Sequence, residues 1–271
     1  MRSSSITSGS PPAALRRLAE DPDKLLWRYL DSPVKLGHTS LVVKAELPMD
    51  DGPLSVCYKR YRPRDWWKAF CGQFRRSRAL RGWRLGHALL ARGIATARPL
   101  AVCQSRRGHF RRSSYLATEW IEGAENLHLW GWRLASCRLS ERLRRAAPCA
   151  ESLGRLVGRM HAWQINHRDL KGSNLLVAEG DRGLRTYLVD TDGARLRRRF
   201  SAARQVRDLA RLAASIEAHP WVTRTLRCRF LRTYVRQLPQ DQVDWKTLWR
   251  EVAAASRRMV RRKRRRREPV L

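Results

Sequence analysis

The sequence predicts an α+β fold in two lobes, a small antiparallel-sheet lobe followed by a mainly helical one. Three observations predict it. Val34-Lys35-Leu36, Leu41 to Leu47 and Leu54 to Tyr61 read as short strands separated by the turns Gly37-His38-Thr39-Ser40 and Asp50-Asp51-Gly52-Pro53. Leu153, Leu156, Val157 and Met160 recur at i, i+3, i+4 and i+7, which makes residues 150–165 an amphipathic helix with a core-facing stripe. That helix feeds His167-Arg168-Asp169-Leu170-Lys171-Gly172-Ser173-Asn174, followed at once by the apolar run Leu175-Leu176-Val177.

The eight-residue stretch has the H-R-D-L-x-x-x-N pattern of a kinase catalytic loop. In such a loop an Asp accepts the proton of a substrate hydroxyl, and an Asn five residues later ligands a metal. Asp169 and Asn174 stand at those positions, and Lys171 places a cation where it can sit against a transferring phosphoryl group. His167 reads as a structural loop histidine, and His161 as a helix-face residue. The expected architecture is therefore a protein-kinase-like fold. Residues 1–32 form a polar, loosely attached leader, 33–118 the sheet lobe, 119–123 a hinge, 124–256 the helical lobe and 257–271 a basic tail.

Within the first lobe, Lys59 ends Val56-Cys57-Tyr58-Lys59, an apolar-x-x-Lys on the third strand, where a kinase keeps its phosphate-binding lysine. Lys44, on the preceding strand, is its competitor and reads as a solvated residue. The turn of Gly37, His38, Thr39 and Ser40 offers backbone N–H and hydroxyl donors to a phosphate. An ordinary hairpin explains it as well, since it has one glycine where protein kinases have three. Arg78 to Arg92 has helical spacing and is closed by Gly93. No acidic residue lies between Asp65 and Glu119, so this helix offers no Glu to pair with Lys59. A carboxylate from elsewhere such as Asp190, or the phosphates themselves, must serve. Ile94 to Cys103 reads as loop then strand, and Ser114 to Trp120 as a further strand. Backbone groups of Glu119, Trp120 and Ile121 are placed to face an adenine edge.

Beyond the loop, Thr186 to Asp190 reads as a strand ending in a carboxylate. Asp190 is the expected second ligand, with Asn174, of Mg²⁺ on the phosphates of ATP, and Asp192 is the shifted alternative. Asp208 opens an apolar-periodic run and is expected to hold the loop by hydrogen bonds. Asp208 lies only fifteen positions beyond Gly193, and no A-P-E follows, which leaves little room for a peptide-presenting segment. That stretch carries Arg195, Arg197, Arg198, Arg199, Arg204 and Arg207, which suits an anionic small molecule or glycolipid headgroup; a solvated loop is the competing reading. Two helices are expected to close the lobe.

The formal charge of +33 directs attention to polyanionic partners. The stretch Arg257 to Glu268 holds nine basic residues and one acid, yet the remainder is also strongly positive. An Arg-rich codon bias is the alternative source. No apolar run approaches the ~20 residues that span a bilayer. Met1 to Pro12 lacks the apolar region of a secretory signal, and the six scattered cysteines read as reduced thiols in a cytosolic protein.

The chain resembles the lipopolysaccharide core kinases, which phosphorylate Kdo or heptose sugars and share a protein-kinase-like fold. The resemblance covers residues 34–215. It rests on Tyr58-Lys59-Arg60-Tyr61, the segment Ala91 to Ala101 with its Gly93-Ile94-x-Thr96-x-x-Pro99-Leu100 pattern, Thr118 to Gly123, the catalytic loop and Leu188 to Gly193. It implies Asp169 as base, Asn174 and Asp190 as metal ligands and Lys59 as the phosphate-binding lysine. The missing helix Glu and the retained Lys171 depart from the family pattern. The expected activity is ATP- and Mg²⁺-dependent phosphorylation of an inner-core sugar hydroxyl, on an anionic glycolipid or sugar acceptor. The expected location is cytoplasmic, peripheral on the anionic inner face of the inner membrane. Nucleic acid is disfavoured as a partner. A Ser/Thr protein kinase is one rival, and a non-catalytic pseudokinase or basic binding module the other.

Overall fold

The computed structural model describes residues 18, 20–49, 52–63, 76–107, 110–181, 183–199, 201–239 and 244–265. The readings placed on the leader before Leu18, on Asp50-Asp51 and on residues 266–271 lie outside these. The chain divides into two compact units, Met1–Ala88 with Ala97–Trp120, and Leu89–Thr96 with Ile121–Leu271.

The first unit begins with α1 (Pro22–Arg28), whose N-cap Asp21 accepts from the N–H groups of Asp23 and Lys24. The strands β1 (Pro33–Gly37), β2 (Ser40–Met49), β3 (Gly52–Tyr61), β4 (Pro99–Arg107) and β5 (Phe110–Glu119) form one antiparallel sheet in the order β1-β2-β3-β5-β4. Side chains alternate across it. Val43, Ala45, Leu47, Val56, Tyr58, Tyr115 and Ala117 share a core with Leu18 and Leu26. Tyr61 and Leu116 pack with Ala79 of α2 (Arg78–Leu90), joined by Trp83 and Val102. Gly93, at φ 66°, ends that helix as the Ile94 N–H turns back to the carbonyl of Leu89 at 3.0 Å.

The leader is not loosely attached where it is described. Leu26 is fully buried, the Tyr58 hydroxyl donates to the carbonyl of Pro22 at 3.0 Å, and buried Arg60 pairs with Asp23 at 2.7 Å. Its polar composition hides two leucines that cover one face of the sheet, each contributing about 2 kcal/mol by burial.

In the second unit, β6 (Ala124–Asn126) precedes α3 (Leu127–Ala135) and α4 (Leu139–Ala162); β7 (Ile165–His167), β8 (Leu175–Gly180), β9 (Gly183–Leu188) and β10 (Ala194–Leu196) follow. β6, β8 and β9 form one sheet, β7 and β10 another. The chain continues through α5 (Ala202–Ile216), α6 (Arg224–Val235) and α7 (Trp245–Arg265). The helix expected over 150–165 starts earlier, at Leu139. Its first half buries the small residues Ala146 and Cys149 and carries Pro148, so no strong apolar stripe announces it. Gly154 and Gly158 let α6 approach: a Cβ there would lie 2.6 Å from the carbonyl oxygen of Phe230 and 2.7 Å from that of Tyr234.

Two further expectations change. Asp208 sits in the middle of α5 rather than at its start, which puts Arg204 and Arg207 on a helix and not in a loop. The two helices expected to close the lobe are α6 and α7. The basic stretch is no separate tail as far as Arg265, because α7 runs unbroken through Ser256, with Leu248, Ala255 and Ser256 buried and Arg257, Arg258, Arg261 and Arg262 exposed.

Candidate active site

The loop between β7 and β8 is held from beneath. β7 is buried throughout and pairs with β10, so that His167 faces Ala194 across the ladder. The His167 N–H donates to Oδ2 of buried Asp208 at 2.7 Å, which is the loop-holding role expected of that carboxylate. Asp208 also has Nε2 of His161 at 3.5 Å and an Arg211 guanidinium nitrogen at 3.4 Å, and His161 Nδ1 meets the Tyr234 hydroxyl at 2.8 Å.

The His167 imidazole is fully buried and links two segments. Its Nδ1 accepts the Asp169 N–H at 3.3 Å, so Nε2 carries the proton and donates to the carbonyl of Asp190, also at 3.3 Å. Burial holds its pKa below the ordinary histidine value, in keeping with this neutral tautomer. His167 is therefore structural.

On the loop itself, the Asn174 amide nitrogen donates to the backbone carbonyl of Asp169 at 2.8 Å and to its Oδ2 at 3.2 Å. Lys171 Nζ lies 3.1 Å from the same Oδ2. Asn174 is 3% exposed, whereas the Asp169 side chain is 54% exposed. The loop thus fixes one carboxylate oxygen, Oδ2, of a side chain that stays exposed. With its nitrogen committed, Asn174 has Oδ1 left as a ligand atom. The Val189 N–H donates to the Asn174 carbonyl at 2.9 Å, which brings the end of β9 against the loop.

Asp190 follows in the left-handed conformation, φ 60° and ψ 44°, which an L-residue adopts at a cost and Asp tolerates better than most. Its side chain is half-buried; Asp192, in the next turn (Thr191–Gly193), is buried at 6% exposure. Arg195 caps this turn by donating to the carbonyls of Asp192 and Ala194. The Gly93-Ile94-Ala95-Thr96 segment fixes the strand end beside it: the Leu188 N–H donates to Ala95 at 2.9 Å, and the Thr96 hydroxyl donates to Leu188 at 2.6 Å.

The sequence reading missed His128 and His219. A Cβ on Gly172, inside the loop, would lie 2.7 Å from Nε2 of His128, and Nδ1 of His128 meets Nε2 of His219 at 3.0 Å. Burial first, then His219 and Lys171, hold His128 down to about 4. Ser215 also supports the loop, accepting the Gly172 N–H at 3.0 Å. These residues lie 43 to 47 positions from Gly172, and no local pattern marks them.

In the first unit, Lys59 stands opposite Val42 on β2 and Leu116 on β5, with its Nζ 4.8 Å from the centre of the Tyr61 ring. Lys44 lies over Trp120 at 5.1 Å. Gly37 and Ser40 close a two-residue hairpin around His38 and Thr39, with His38 exposed. Of the backbone groups expected to face an adenine edge, the N–H of Glu119 donates to the carbonyl of Arg98 and that of Trp120 to the carbonyl of Ser55.

A family model described as lipopolysaccharide kinase (Kdo/WaaP) matches residues 58–234, a span that contains Lys59, the catalytic-type loop and Asp190. The chain belongs to this family. Among its relatives, 3-deoxy-D-manno-octulosonic acid kinase of Xanthomonas campestris pv. campestris is 33% identical over 141 residues, covering 52% of this chain and 51% of that protein. The enzyme of the same name from Xylella fastidiosa is 32% identical over 155 residues, 57% and 55% of the two chains. The matches thus span about half the length of these relatives. A solved structure, WaaP in complex with acyl carrier protein, superposes with a TM-score of 0.60 over 94% of this chain and 97% of that one, at 22% identity. The family's fold, a sheet unit followed by a mainly helical unit, is the fold of this chain.

Proposed function

We propose that the chain is an ATP-dependent phosphotransferase that phosphorylates a sugar hydroxyl of the lipopolysaccharide inner core, on Kdo or heptose. The observation that carries this reading is the loop on which Asn174 and Lys171 both hold Oδ2 of Asp169 while its side chain stays exposed. Family membership supplies the substrate class.

Asp169 Oδ1 takes the proton of the acceptor hydroxyl as its oxygen bonds to the γ-phosphorus; the bond from that phosphorus to the bridging oxygen breaks, giving a phosphate monoester and ADP. Lys171 sits beside the transferring group, and Lys59 binds phosphate. Gly37, His38, Thr39 and Ser40 supply turn donors, and Ile121 supplies a backbone group to the base. The oxygen donors present suit Mg²⁺: Asn174 Oδ1 and the Asp190 carboxylate are hard ligands on adjoining segments, while buried Asp192 is the weaker candidate. When bound, Mg²⁺ neutralises phosphate charge; the residues themselves orient the hydroxyl and hold its proton.

No helix among the described residues is long and apolar enough to cross a membrane. The exposed arginines of α7 support peripheral docking on an anionic inner-membrane surface. Acyl carrier protein is a proposed protein partner, by analogy with WaaP. An apolar cavity of about 250 Å³ in the second unit, lined by Leu153, Leu212, Leu226, Phe230 and Trp249, has room for an acyl group.

The test is transfer of labelled phosphate from ATP with Mg²⁺ to core glycolipid, to a generic basic protein, or to buffer alone. Label on glycolipid supports the proposal; label on protein alone overturns the substrate class.

A further inference from the structure

We propose that Thr96 is a positioning residue for the metal site: its hydroxyl holds the peptide unit that leads into Asp190, and so sets how strongly Mg²⁺ joins the nucleotide. This rests on the phosphotransferase reading above.

Thr96 is 5% exposed. Its hydroxyl donates to the carbonyl of Leu188 at 2.6 Å, while the Leu188 N–H donates to the carbonyl of Ala95 at 2.9 Å. Both backbone groups of Leu188 therefore go to one short segment, which bridges the end of β9 in parallel. That segment is itself anchored within the second unit, where Arg159 of α4 donates to the carbonyl of Gly93 at 3.3 Å. The Leu188 carbonyl and the Val189 N–H belong to the same planar peptide unit. Its C=O accepts from Thr96, and its N–H donates to the carbonyl of Asn174 at 2.9 Å. The unit between the two proposed ligands, Asn174 and Asp190, is thus pinned on both sides.

The next residue shows why the pinning matters. Asp190 stands at φ 60° and ψ 44°, and a non-glycine residue stays in that region only where its surroundings over-determine it. The restraints on this stretch include the Thr96 bond, and the His167 imidazole and Gly193 N–H on the Asp190 carbonyl at 3.3 and 3.2 Å. Mg²⁺ demands near-ideal octahedral geometry, so a ligand that swings out of place is penalised. Rotation of the Leu188–Val189 peptide would re-aim the carboxylate that follows it. Threonine suits the restraint, because its β-branch limits χ1 and keeps the hydroxyl on one bearing. The bond also gives the Gly93-Ile94-x-Thr96 pattern a physical purpose: Gly93, at φ 66°, turns the chain so that Thr96 meets the strand end. Thr96 touches the site only through Leu188, so its hydroxyl can be removed without altering either ligand.

The experiment measures ATP binding by calorimetry, without acceptor, once with Mg²⁺ and once with EDTA. Wild type is compared with Thr96→Val, which keeps the shape and removes the hydroxyl, and with Thr96→Ser, which keeps the hydroxyl. Thr96→Ala removes the same donor and serves if the valine variant does not fold; melting temperatures identify the folded variants. The gain in affinity from Mg²⁺ is expected to shrink at least about tenfold in Thr96→Val, as for a lost outer-shell partner, with metal-free affinity within about twofold of wild type. Thr96→Ser is expected to keep most of the gain. An undiminished gain in the variants without the hydroxyl overturns the proposal. Equal weakening with and without metal, or a serine variant as impaired as the valine one, also overturns it, since either marks a packing role. If wild type binds no ATP, or its affinity ignores Mg²⁺, the phosphotransferase reading itself falls, and this inference with it.

Discussion

The side-chain nitrogen of Asn174 lies 2.8 Å from the backbone carbonyl of Asp169 and 3.2 Å from its Oδ2, so the metal-ligand candidate is also what holds the candidate base. Two variants separate these roles. Asn174→Ala removes the brace and the ligand oxygen, and transfer is expected to fall at least about 100-fold. Asn174→Asp keeps a ligand oxygen but puts a second carboxylate beside Asp169. It loses the amide N–H donors that brace Asp169, so transfer is expected to fall although the ligand oxygen remains. Steady-state transfer across a Mg²⁺ series reads both.

The close approach of α4 and α6 is equally specific. Gly154→Ala and Gly158→Ala each drive a Cβ against a backbone carbonyl of α6, and each is expected to cost about 1–3 kcal/mol. Gly180→Ala, with nothing within 4 Å of its Cβ, is the matched control and is expected to stay within about 0.5 kcal/mol. Urea unfolding measures all three.

Three buried imidazoles make the protein acid-sensitive. His128, His167 and His219 all have their pKa pushed down, chiefly by burial. Between the lowered native value and the unfolded value of about 6.5, the unfolded chain binds the proton and the native chain does not. Stability is therefore complete above about pH 7 and is lost as the pH falls through 6.5, by up to about 1.4 kcal/mol per pH unit for each imidazole. His219→Phe removes one of them, and the slope of unfolding free energy against pH is expected to lessen by about one proton.

Much of this was legible in the sequence because it is local. The strands around Lys59, the helix ending at Gly93 and the loop from His167 to Asn174 each carry their signal within a few residues. What was not legible depends on distant contacts. His128 and Ser215 meet Gly172 only in the folded chain. The first half of α4 buries alanine and cysteine, which make no strong stripe. The run after Ser256 reads as a solvated charge cluster, yet Met259, Val260 and the alanines before them keep one side of a helix partly covered.

The leader gives the plainest case. Leu26 lies in a polar stretch and is 1% exposed in the core of the first unit. Leu26→Ala is expected to destabilise by about 2–5 kcal/mol, the cost of an unfilled core cavity. A loosely attached leader would leave the melting temperature unchanged.

The most direct test of the central claim is Asp169→Asn, assayed beside wild type for phosphate transfer from ATP with Mg²⁺ to core glycolipid. The substitution keeps size and the contact with Asn174 and removes the base. The account predicts label on the glycolipid with wild type and a loss of at least about 100-fold in the variant, with ATP binding retained. Transfer undiminished in Asp169→Asn would contradict it.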